Sequence, residues 1–94
     1  DIKGLHFYKP DLKKFRCLKL AYDACKTGGT APTIMNAANE IAVDLFLKEK
    51  INFNSIPDII EDSLSTFPIN SIFDYNDISE TDKIVREQIL KKYS

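Results

Sequence analysis

The segment from Ala31 to Lys50 constrains this chain more than any other. Ile34, Ala38, Ile41, Ala42 and Leu45 recur at three- and four-residue spacings, which is one stripe of a helix. Met35, Val43, Phe46 and Leu47 widen the stripe nearly all round. A helix apolar on so many sides belongs at the centre of its domain, surrounded by other elements. Ala37, Ala38 and Ala42 are small enough to let neighbours approach closely. Thr30 or Ala31 is expected to cap this helix, with Pro32 in the first turn, where a missing N–H does no harm. It is expected to run to about Lys50.

The segments on either side read as its neighbours. From Leu12 to Thr27, Cys17, Leu18, Ala21, Ala24 and Cys25 fall on one helical face. Gly28-Gly29 ends that helix, because glycine takes the left-handed conformation without a Cβ clash. A phosphate cradle is the functional alternative for these glycines, but neither a G-x-G-x-x-G nor a G-K-[ST] pattern is present. Ser55-Ile56-Pro57-Asp58 has the form of a capping box. Ile56, Ile59, Ile60, Leu64 and Phe67 then give a single apolar face up to Pro68. Residues 69–77 are irregular, with Ile72, Phe73 and Tyr75 expected to pin them to the core. Ser79-Glu80-Thr81-Asp82 reads as a second capping box, opening a helix to about Lys92 with Val85, Ile89 and Tyr93 on one face. At the other end, Leu5 and Phe7 alternate in a short extended arm before Pro10-Asp11. The predicted fold is all-α: an antiparallel bundle of about four helices with a short extended N-terminal arm.

Size and charge narrow the function. A chain of 94 residues is one small domain, too short for a two-domain nucleotide-dependent enzyme. With no initiator Met, it reads as a piece of a longer protein. No apolar run reaches the ~20 residues of a membrane-spanning helix, and the N-terminus lacks a signal-peptide pattern. A net charge of −1 is a poor footprint for nucleic acid. The basic stretch Lys9 to Lys19, with Lys13, Lys14 and Arg16, is interleaved with Phe15 and Leu18 and reads as a solvated helix edge. Cys17 and Cys25 on one helix lie about 12 Å apart, too far for a disulfide. They read as buried structural thiols in a reducing cytoplasmic compartment. His6 reads as exposed or hydrogen-bonded, and Asp58, Glu61 and Asp62 as a solvated face near a helix N-terminus.

One motif stands out from this pattern. Asn36, Asn39 and Glu40 are three and four residues apart, so they share a face of the most apolar helix. Such groups need partners, since an unpaired buried polar group costs ~1–3 kcal/mol. They either bond a loop or the arm within this domain, face another domain or subunit, or bind a ligand. Catalysis is the weakest of the three: an Asn amide moves no proton, and Glu40 has no acidic or His companion nearby in sequence.

Ala31-Pro32-Thr33-Ile34-Met35-Asn36-Ala37-Ala38-Asn39-Glu40-Ile41-Ala42-Val43 closely resembles the C-terminal region of the 1-deoxy-D-xylulose 5-phosphate reductoisomerase family. Leu5-His6-Phe7 with Pro10-Asp11, Phe15-Arg16-Cys17-Leu18-Lys19-Leu20-Ala21, and Asp82 with Arg86 agree in order and spacing. Arg16 departs from the family, where a proline is common, and residues 69–77 match poorly. The resemblance implies that residues 1–94 are a single C-terminal helical domain of an enzyme about four times as long. That enzyme would convert 1-deoxy-D-xylulose 5-phosphate to 2-C-methyl-D-erythritol 4-phosphate, in isoprenoid biosynthesis by the non-mevalonate route. It would use NADPH and a divalent cation, Mg or Mn. The expected partners are the catalytic domain of the same chain and a second copy in a homodimer, with no nucleic acid and no membrane. The compartment is cytoplasmic, or plastid-like in a eukaryote. The family's catalytic, nucleotide and metal motifs match no position here, so the fragment alone is expected to be inactive and to hold no cofactor. Asn36, Asn39 and Glu40 are then an interdomain or structural polar cluster. The alternative is an autonomous helical protein-interaction module.

Overall fold

A segment apolar on most sides needs several neighbours, and the segment from Ala31 to Leu47 has three, with Val43 and Leu47 left exposed on its open side. The computed structural model describes residues 12–72 and 74–93. They form α1 (Leu12–Thr27), α2 (Ala31–Leu47), α3 (Ser55–Thr66) and α4 (Tyr75–Tyr93), with no strand among them. α2 touches all three of the others, and α1 also packs on α3. Ala37, Ala38 and Ala42 are fully buried along α2, together with Ile34 and, nearly so, Leu45. Ile56, Ile59 and Ile60 close on α2 from α3, and Val85 and Ile89 close on it from α4. Each such buried aliphatic side chain contributes about 1.5–3 kcal/mol by leaving water. The expected arm, with Leu5, His6 and Phe7, lies outside the described residues, as does Phe73.

Consecutive helices run antiparallel. Arg16 near the start of α1 reaches Asp58 and Glu61 in the first part of α3, so those two helices point the same way. Pro32 and Thr33 at the start of α2 border the same depression as Tyr75 and Ser79 at the start of α4, so α2 and α4 share one sense, opposite to that of α1 and α3.

α1 is rotated from its expected face. Ala24 is buried and Cys17 and Leu20 pack on the core, whereas Leu18 is 67% exposed. Cys25 is exposed and Cys17 half-buried, neither in a disulfide, so Cys25 is not the buried thiol expected. Helical periodicity fits either stripe. The rotation that seats Leu20 and Ala24 also swings Arg16 onto the acids of α3.

The helix starts differ from expectation, and each is satisfied in its own way: by distant backbone at α2, by the preceding turn at α3 and by an acidic pair at α4. Thr30 stands at the cap position of α2 but makes no side-chain cap bond. Its N–H donates to the Asn70 carbonyl at 2.8 Å, and its hydroxyl accepts from the Asn70 N–H at 3.0 Å. This two-way lock holds the 69–72 segment; Ile72 in it and Tyr75 at the start of α4 are exposed rather than pinned to the core. Ser55 is not a cap; it is the first helical residue of α3, after Asn54. There the N–H groups of Ser55 and Ile56 donate to the carbonyls of Asn52 and Phe53. α4 begins at Tyr75, four residues before the expected Ser79. Its capping box is acidic: the Asp74 N–H donates to the Asp77 carboxylate at 3.2 Å, and the Asp77 N–H to that of Asp74 at 3.3 Å. Phe67, ahead of Pro68, takes the extended conformation that a following proline imposes, and α3 stops.

α2 ends at Leu47, short of Lys50. The Lys50 N–H reaches the Leu45 carbonyl and the Glu49 N–H reaches that of Phe46, which is the Schellman arrangement. It places Glu49 at φ 61°, a position that glycine usually occupies.

Two predictions follow from these turns. Gly28 and Gly29 both have positive φ, but only at Gly29 would a Cβ overlap backbone, at the Asn70 carbonyl oxygen. In urea denaturation Gly28→Ala should cost about 1 kcal/mol, from φ alone. Gly29→Ala should cost about 2–3 kcal/mol, because it also prises Asn70 from Thr30. Glu49→Gly should raise the unfolding free energy by about 0.5–1 kcal/mol, by removing the left-handed penalty.

Candidate functional site

The step of 100° per residue along α2 brings Asn36, Asn39 and Glu40 to one flank. Asn36 and Glu40 are exposed and Asn39 is half-buried. The Glu40 carboxylate accepts from Arg86 Nη2 of α4 at 2.5 Å, and Arg86 Nε donates to Asp82 at 2.9 Å. One guanidinium therefore ties two carboxylates across the α2–α4 contact. The Glu40 hydrogen bond, and after it that of Asp82, raises the Arg86 pKa above its ordinary value. Arginine yields no proton at biological pH, so this group is an electrostatic tie rather than an acid–base pair. Asn36 borders an open depression of about 330 Å³ with Thr33, Tyr75 and Asp82. Sequence reasoning missed the part played by Arg86, although its four-residue spacing from Asp82 was a usable signal.

The other candidates are accounted for locally. Asp58 and Glu61 both hold Arg16, and Asp62 lies 3.6 Å from Lys92. The bonds to Glu61 and then Asp58 raise the Arg16 pKa. No three His, Cys, Asp or Glu side chains among the described residues come together as a metal would need; these residues do not fit a divalent cation. Nor does the Gly28–Gly29 turn fit a phosphate. The Asn70 carbonyl occupies the space above Gly29 and takes the Thr30 N–H, while the Ala31 N–H donates to Gly28. A further depression, about 480 Å³, is an open groove between α3 and α4 edged by Ile59, Phe67, Ile89 and Tyr93. No described helix is long and apolar enough to cross a membrane.

What the geometry defines is a helical domain whose polar groups hold its helices to one another. Comparison with known proteins gives that domain a family. A sequence model described as the DXP reductoisomerase C-terminal domain matches residues 1–88. The 1-deoxy-D-xylulose 5-phosphate reductoisomerase of Clostridium tetani is 50% identical over 94 residues, covering all of this chain and 24% of that protein. The enzyme of the same name from Thermoanaerobacter pseudethanolicus is 53% identical over 89 residues, covering 95% of this chain and 23% of that protein. That of Clostridium perfringens strain 13 is 47% identical over 93 residues, covering 99% and 24%. The chain belongs to the 1-deoxy-D-xylulose 5-phosphate reductoisomerase family and corresponds to its C-terminal domain. It spans about a quarter of the length of the curated relatives it matches.

The Arg86 tie is testable by a double-mutant cycle. Glu40→Ala and Arg86→Ala should show a coupling of about 0.5–1 kcal/mol in chemical denaturation. The coupling should shrink as salt rises, because the groups are partly exposed. Arg86→Ala should be the costlier single change, since it also releases Asp82.

Proposed function

We propose that residues 1–94 act as a single C-terminal domain of a longer NADPH-dependent reductoisomerase, buttressing its catalytic part and inactive alone. The observation that carries this is the match itself: close identity along nearly the whole chain, set against a quarter of each relative's length. The long enzyme converts 1-deoxy-D-xylulose 5-phosphate to 2-C-methyl-D-erythritol 4-phosphate in isoprenoid biosynthesis. It works in the cytoplasm as a homodimer, with NADPH and Mg or Mn held by residues outside this chain. Two features of this chain support that division of labour. The only glycine pair is filled by Asn70 rather than open to a phosphate. The acids of α3 are engaged by Arg16 and Lys92. Asn36, Asn39 and Glu40 lie on the outward side of α2, where Glu40 is tied back by Arg86 and Asn36 is free to meet the catalytic part.

Two measurements test this reading. The reading frame that encodes this chain, expressed with its upstream sequence, should oxidise NADPH in the presence of 1-deoxy-D-xylulose 5-phosphate and magnesium. Calorimetric titration of the 94-residue chain with NADPH should give no binding heat. A long chain without turnover would overturn the parentage, and micromolar NADPH binding by the short chain would overturn its purely supporting role.

A further inference from the structure

α1 and α2 each carry an outward strip that the bundle leaves uncovered. On α1, Phe15, Leu18 and Tyr22 are 63%, 67% and 64% exposed, at spacings of three and four residues. Cys25, exposed, continues the same line. On α2 the strip is Asn36, Glu40, Val43 and Leu47, at spacings of four, three and four, with Leu47 71% exposed. Each spacing is that of a helix seam meant for a partner. The two strips belong to helices that pack on one another. Arg16 marks the flank of α1 that meets α3, and at 100° per residue the strip falls on the flank away from both Arg16 and the core. Phe15 precedes Gly29 by as many residues as Val43 follows it, and the same holds for Tyr22 and Asn36. In an antiparallel pair these residues lie level.

We infer that this two-helix face is where the polypeptide preceding the domain folds back and docks. The inference rests on the reading that the chain is the C-terminal part of a longer enzyme. It commits to that occupant on three grounds. The relatives hold about three-quarters of their length outside the matched region, and a C-terminal domain joins that remainder through the residues leading into α1, so the partner is tethered at the Phe15 end of the strip. A tether of this kind gives an effective concentration in the millimolar range. The area points the same way. Phe15, Leu18, Tyr22, Val43 and Leu47 at these exposures present apolar surface on the order of 400–500 Å². Two copies stacked on this face would bury about 1,000 Å², short of the ~1,200–2,000 Å² of stable complexes between separate chains. A contact between domains of one chain needs only about 600–1,500 Å². The strip also changes from apolar at Leu47 and Phe15 to polar at Asn36 and Glu40, so it can fix the direction in which a partner lies across it.

Cys25 is a built-in probe of this face. Its maleimide labelling, read by mass spectrometry, should be at least tenfold slower in the long chain than in the 94-residue chain. Leu18→Asp with Leu47→Asp in the long chain should restore the fast rate, while leaving the melting of the 94-residue chain within a degree or two, because both sites are on its surface. Equal Cys25 labelling in the long and short chains would overturn the docking face. Protection that disappears on dilution would also overturn it, in favour of a second copy. A long chain with turnover and an unprotected Cys25 removes this inference and leaves the parentage intact. A protected Cys25 without turnover does the reverse.

Discussion

The close approach allowed by three alanines in α2 is the constraint on which the rest of the structure depends. Ala37, Ala38 and Ala42 have no accessible surface, and α1, α3 and α4 all pack on this one helix. A larger side chain at any of the three would force neighbours apart, and overpacking a filled core costs typically 1–3 kcal/mol. Because the alanines contribute little area themselves, the apolar burial comes from their surroundings. Ile34 and Leu45 on α2 meet Ile56, Ile59 and Ile60 from α3 and Val85 and Ile89 from α4. The domain is thus built around one thin helix rather than around a shared central cavity. That explains how so short a chain closes a core with few aromatic residues in it.

Backbone satisfaction is the second organising force. A tight helical domain exposes many unpaired N–H and C=O groups at its helix ends. Here loops answer them more often than side-chain caps do. Thr30 and Asn70 exchange two hydrogen bonds forty residues apart, joining the turn after α1 to the segment after α3. The parallel sense of α1 and α3 brings those two places together, and Arg16 with Asp58 and Glu61 fixes the other end of the same pair. Gly29 is needed where the Asn70 carbonyl crosses the turn. The lock fixes the connection into α4, whose described residues 68–72 are exposed.

This explains which parts of the structure could be read in advance. The existence, order and class of the helices followed from apolar periodicity, which tertiary packing reinforces. The faces of α2, α3 and α4 followed too, since Ile60, Val85 and Ile89 had no competing stripe. The face read for α1 was right at Cys17 and Ala24 and wrong at Leu18 and Cys25, which turn outward while Leu20 turns in; periodicity fits either edge of the stripe, and only contact with α2 and α3 decides between them. The capping boxes at Ser55 and Ser79 were local signals overridden by distant or neighbouring backbone. The pattern Asp74 to Asp77 carries the same kind of signal, an acidic cap with a second acid three residues on. In the candidate site, the shared flank of Asn36, Asn39 and Glu40 was legible from spacing. The partner of Glu40 was not, because Arg86 lies 46 positions away and no periodicity links residues on different helices.

The polar residues of α2 then have a physical reason to sit on an otherwise apolar helix. A helix surrounded on three sides has one open side, and an unbroken apolar strip there would invite promiscuous association. Asn36 and Glu40 break it at one end, while Val43 and Leu47 leave it apolar at the other. Fixing Glu40 with Arg86 and Asp82 holds its carboxylate in one place, so the open side carries a set charge rather than a mobile one. On a surface half greasy and half polar, a misaligned partner would strip water from the carboxylate lone pairs that Arg86 leaves open, at a cost that an aligned partner avoids. The sequence that looks out of place inside α2 is therefore the expected composition of the one face that its own bundle does not cover.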